Sequence, residues 1–118
     1  DLHLCDRRQR QICIRDRNTY TDPKFSGAQM FYSAANPESE RFASILQNKF
    51  VQNLQPENMR ETKLCGKELY LCYFCENPAV MAECGFLSNP DEAAKLTDST
   101  YQQQVAFTLF SGLNEFMS

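Results

Sequence analysis

The stretch that most limits how this chain can fold runs from Pro78 to Pro90. The short apolar run Ala79-Val80-Met81-Ala82 ends abruptly in Glu83. Cys84-Gly85 and an Asn89-Pro90 helix start follow at once. So brief an apolar run between turn signals reads as a buried strand rather than a helix. A strand that stops in a carboxylate holds that carboxylate at the mouth of a sheet, where it can move protons. Glu83 is therefore the leading candidate for chemistry. Its neighbours Val80 and Met81 would raise its basicity by desolvation, and Gly85 would leave room for a substrate backbone.

The remaining elements alternate between strand and helix. Residues 28–32 (Ala-Gln-Met-Phe-Tyr) read as a strand, after a loop over 18–26 marked by Asp22-Pro23 and Ser26-Gly27. Asn36-Pro37-Glu38 opens a helix with a cap residue, a proline and an acid. Phe42, Ile45, Leu46, Phe50 and Leu54 fall on one stripe of it, and Arg41, Gln47 and Gln52 face away. Residues 60–64 suggest a short strand and 67–73 a short helix or turn. Asn89-Pro90 starts a helix to Leu96, and Asp98 caps a longer one. Tyr101, Val105, Leu109, Leu113 and Phe116 form the buried stripe of that last helix, with Gln102, Gln103 and Asn114 outward. On this reading the Phe and Tyr residues of the two long helices are core. Such alternation predicts an α/β fold: a mixed or mostly parallel sheet flanked by helices.

At 118 residues the chain supports one domain with one core. A net charge of -3 argues against nucleic-acid binding, and no apolar run is long enough for a transmembrane segment. Arg7, Arg8, Arg10, Arg15 and Arg17 crowd the first seventeen positions without interleaved aromatics, which reads as a solvated tail rather than an anion site. Cys65, Cys72, Cys75 and Cys84 include only one short-spaced pair. Buried small hydrophobes are the favoured reading over a four-thiolate zinc site or a redox pair.

The segment Ala82-Glu83-Cys84-Gly85-Phe86-Leu87-Ser88-Asn89 resembles the signature of zinc-dependent N-acetylmuramoyl-L-alanine amidases of the amidase-3 type, closest to the spore-cortex amidases. Gly27 to Tyr32 and Tyr101-Gln102 resemble the family in the same order and spacing. The resemblance covers about residues 18–118 and implies the C-terminal portion of an amidase-3 domain, truncated at its N-terminus. It implies hydrolysis of the amide between N-acetylmuramic acid and L-alanine of peptidoglycan, in the bacterial cell envelope, either exported or in the forming spore. Glu83 would be general base and then general acid. Asn18, Gly85 and Asn89 would border the substrate, with Ser88 bracing the turn.

The family's cofactor is zinc, held by two His and a Glu. Those ligands are absent from this chain, so its metal-ligand set is empty. The position of the ligating His in the family's Ser-Ile-His-x-Asn strand is held by Asp16, or by Arg15 one register away. The lone histidine, His3, lies in a segment without family resemblance and reads as solvated. Residues 1–17 are thus expected to be an arm foreign to this fold, and the chain alone inactive or impaired. The alternative is a non-catalytic, amidase-derived module that binds glycan or protein. A sheet without its first strands would expose an edge and favour self-association.

Overall fold

A computed structural model of the chain describes residues 25–118. Their order is β1 (Gln29–Tyr32), α1 (Glu38–Asn53), β2 (Lys63–Leu64), α2 (Tyr70–Tyr73), β3 (Val80–Glu83), α3 (Pro90–Leu96) and α4 (Ser99–Met117). The strands form one mixed sheet in the order β2-β1-β3. β1 runs parallel to β2, with Tyr32 opposite Leu64. It runs antiparallel to β3, with Gln29 opposite Glu83 and Tyr32 opposite Val80. The sequence expectation of a mixed sheet flanked by helices holds.

Side-chain alternation along β1 and β3 divides the apolar residues between two faces. On one face Ala28, Met30 and Ala82 pack with Ala43, Leu46 and Phe50 of α1, and Val105 and Leu109 of α4 close over them. Met30 and Phe50 are fully buried; each contributes about 1.5–3 kcal/mol relative to exposure. On the other face Met81 packs with Cys65, Leu69 and Cys72. The cysteines at 65 and 72 thus behave as the buried hydrophobes expected of them, while Cys75 and Cys84 are half-buried.

The helix starts follow their local chemistry. Asn36 Oδ1 accepts from the N–H of Glu38 at 2.8 Å, and Asp98 Oδ2 accepts from Tyr101 N–H at 2.9 Å. Both satisfy donors that a helix N-terminus leaves open.

Three expectations are corrected. Gln47, expected to face away, is buried. Its Oε1 accepts from Met30 N–H at 2.9 Å, and its Nε2 donates to Ala28 O at 3.1 Å. The physical reason is the shortness of β2, which reaches only Phe31 and Tyr32 of β1. The preceding part of β1 lacks a strand on that flank, so side-chain amides serve instead. Gln55 Oε1 accepts from Ala28 N–H at 2.9 Å, and Asn58 Nδ2 donates to Ala28 O at 2.8 Å.

Leu113, expected on the buried stripe of the last helix, is 43% exposed. The contact face of α4 runs through Thr108 and Gly112, both buried. At Gly112 the two long helices approach so closely that an added Cβ would press on Leu46, and this turns Leu113 outward. For the same reason Phe107 and Phe110 are exposed rather than core.

Candidate active site

β3 carries Met81 and Glu83 on the same face of the sheet, by alternation. Met81 is buried in the smaller cluster, and Glu83 follows it to the end of the strand. Glu83 is half-buried, with Oε1 shielded from solvent. Across the ladder stands Gln29, whose Cβ lies about 5 Å away on the same face. The carboxylate expected at the mouth of the sheet is therefore there, at the end of a buried strand.

The turn after Glu83 is held by one side chain. Asn89 caps α3, its Oδ1 accepting from Asp91 N–H at 3.0 Å and Glu92 N–H at 3.2 Å. Glu92 has the spacing of a capping-box acid, but its carboxylate reaches past the cap. Oε1 accepts from Phe86 N–H at 2.9 Å. Oε2 accepts from Gly27 N–H at 2.9 Å. One carboxylate so ties the loop before β1 to the turn after β3. Gly85 makes this possible: it is buried, and a Cβ there would lie 3.2 Å from Glu92 Oε1 and 3.3 Å from Leu96 Cδ1. Gly27 sits at φ 95°, a conformation that strains any residue with a side chain.

The rim of the site is aromatic and cationic. Phe86 stacks on Phe25 with ring centroids 5.8 Å apart. The Arg60 guanidinium lies 4.9 Å from the Phe86 ring centre. On the opposite face Tyr101 Oη accepts from Gln55 Nε2 at 3.2 Å. Burial is the main cause that pushes the Tyr101 phenol above its ordinary value, against the Gln55 hydrogen bond.

The structure thus brings Glu83, Gly85, Ser88 and Asn89 together in one strand-turn-helix unit. Asn18, Asp16, Arg15, His3 and the rest of the arm over 1–17 lie outside the described residues. Among the described residues no group of three or more His, Cys, Asp or Glu could hold a metal ion. They do not fit the zinc that the resemblance implies. Glu92 and Arg60 escaped the sequence reading as site residues. Glu92 was visible only as an acid in the first turn of a helix. Arg60 carried no signal, because its place depends on the pairing of β1 with β3.

Comparison with known proteins identifies the family and the fold. Residues 17–115 match the amidase-3 family model, described as N-acetylmuramoyl-L-alanine amidase. The chain is 33% identical over 101 residues to the germination-specific N-acetylmuramoyl-L-alanine amidase of Bacillus subtilis (strain 168), covering 86% of this chain and 42% of that relative. It superimposes with a TM-score of 0.78 and 33% identity on the CwlD amidase of Clostridioides difficile, solved in complex with the GerS lipoprotein. That match covers 83% of this chain and 49% of the other. A second N-acetylmuramoyl-L-alanine amidase, from Clostridium difficile 630, shares the fold with a TM-score of 0.71 at 20% identity, over 92% of this chain and 64% of that one. The chain spans about half the length of these sequence relatives.

Proposed function

This chain belongs to the amidase-3 family of N-acetylmuramoyl-L-alanine amidases, and on that premise we propose that it is the C-terminal portion, over 18–118, of a peptidoglycan hydrolase of the cell envelope. The bond cleaved is the amide between the lactyl group of N-acetylmuramic acid and L-alanine. The observation that carries the reading is Glu83: a half-buried carboxylate at the end of a buried strand, inside the region that matches the family.

Glu83 takes a proton from water as the water oxygen adds to the lactyl carbonyl carbon. It then returns the proton to the alanine nitrogen as the C–N bond breaks, leaving a lactyl carboxylic acid and a free amine. Glu83 Oε1 is shielded from bulk solvent, so a proton it takes up is held for return to the leaving nitrogen. Gly85 and Asn89 shape the turn beside the reacting bond, and Asn18 is the further substrate contact that the family resemblance implies. In the family that the chain resembles, zinc would polarise the carbonyl and activate the water; the described residues of this chain do not fit a metal.

The test is incubation of the chain with purified peptidoglycan in zinc-containing buffer, counting new L-alanine amino termini. Glu83→Gln should lower release by roughly 100-fold or more while melting as the parent does. Equal release by a folded Glu83→Gln variant would overturn the role of Glu83. No release by the parent, with retention on insoluble peptidoglycan, would point to the binding module instead.

A further inference from the structure

We propose that Arg60, with the cleft it borders, binds a carboxylate of the stem peptide attached to the scissile amide, and so selects acidic over amidated stems. The proposal rests on the amidase reading above.

Position is the first argument. Arg60 Nη1 donates to Gln29 Oε1 at 3.3 Å, and Gln29 is the register partner of Glu83. The cation therefore stands one side chain beyond the proposed proton carrier, at the same end of the sheet. A peptide leaving the reacting amide along the sheet rim meets it within a residue or two.

Preorganisation is the second. Arg60 Nε donates to Ser26 O at 2.7 Å, Nη1 is held by Gln29, and the guanidinium carbon lies over the Phe86 ring. Phe86 is itself backed by Phe25 and anchored through its N–H by Glu92. These contacts fix the plane of the group. They use Nε and one donor on Nη1, so the Nη2 donors and their Nη1 neighbour remain as the flat fork that matches a carboxylate.

Charge is the third. The ion pairs among the described residues join Arg41 to Glu38 and Lys49 to Glu115, and none involves Arg60. Beside it opens a cleft of about 360 Å³ lined by Ser26, Gly27, Gln55, Glu57, Asn58 and Arg60, among others. Glu57 is exposed on its rim, where water screens it. A purely structural arginine would tie Ser26 to Gln29 and do nothing more; it would be indifferent to the charge of a ligand.

That difference supplies the test. The full chain is titrated with N-acetylmuramoyl-L-alanyl-D-glutamate and with the same compound carrying carboxamides in place of both carboxylates, followed by calorimetry. The acid should bind roughly tenfold more tightly, the span of one charge-assisted fork. Arg60→Gln should erase the preference by weakening the acid alone, and Arg60→Lys should restore part of it. Equal binding of the two compounds by the parent overturns the proposal and leaves the amidase reading standing. Binding of neither removes the amidase reading and the proposal together. Should Arg60→Gln melt early, the acid-against-amide comparison on the parent still decides.

Discussion

Glu92 is the side chain on which the geometry of the candidate site rests, and Glu92→Ala is the perturbation that measures it. The carboxylate accepts two backbone N–H groups at 2.9 Å, from Gly27 and from Phe86. A hydrogen bond to a charged group is worth about 1.5–3 kcal/mol. Both sites are partly buried, so water recovers some of the loss, and about 2–4 kcal/mol in total is the expected cost. Against a typical stability of about 5–15 kcal/mol this is a large fraction. Glu92→Gln keeps one acceptor oxygen but turns an NH2 towards an N–H donor, so roughly half the loss is expected. The exposed neighbour Asp91 is the control. It is an acid in the first turn of α3, and Asp91→Ala should cost about 0.3–1 kcal/mol. Urea unfolding gives the three values, and amide hydrogen exchange locates them. Gly27 and Phe86 N–H should lose protection in Glu92→Ala, while amides in the middle of α1 keep theirs relative to global stability. A Glu92→Ala chain within about 0.5 kcal/mol of the parent, or unchanged exchange at both amides, would refute the clamp.

Four other outcomes are expected. Gln47→Leu, though apolar, should lower stability by about 2–4 kcal/mol in urea unfolding, since it strands the buried N–H of Met30 and a bond to Ala28 O; Gln52→Leu, on the exposed side, should be near neutral. Gly112→Ala should cost about 1–3 kcal/mol of overpacking against Leu46, outweighing about 1 kcal/mol of helix propensity gained, so thermal melting should show a net loss. Tyr101 holds its proton above the ordinary value, chiefly through burial, so its contribution is complete below pH about 10 and is lost as pH climbs through the folded value; Tyr101→Phe should flatten that alkaline loss in pH-dependent unfolding. No strand pairs with the outer edge of β3 among the described residues, so light scattering should show association that grows with concentration, and a strictly monomeric chain would contradict it.

What the sequence made legible was local. Asn36, Asn89 and Asp98 were recognisable as caps because a cap is decided within three residues of itself. Glu83 was recognisable because an apolar run, a carboxylate and a glycine turn together define the end of a strand. Gln47 was misread because a helical stripe assumes that polar residues seek water. Its amide instead serves the backbone of Ala28 and Met30, a need created by how far β2 extends, and no window around position 47 contains that information. Leu113 fails for a related reason. The stripe assumed a straight seam, and Gly112 moves the seam by letting α1 come close.

The same distinction explains why the candidate carboxylate could be named from the sequence while its surroundings could not. Backbone groups of even-numbered residues along β1 face the β2 flank: Tyr32 O receives Cys65 N–H, while Met30 and Ala28 turn to Gln47, Gln55 and Asn58. The odd-numbered residues face β3 and set Gln29 against Glu83. Three amides on one flank therefore hold β1 in the register that puts Gln29, and through it Arg60, beside the carboxylate on the other. A slip of one residue would send every side chain of β1 to the opposite face. It would leave Glu83 where the sequence says it is, but without its neighbours. The motif locates the proposed proton carrier, and buried amides far from it in sequence decide what that carboxylate stands next to.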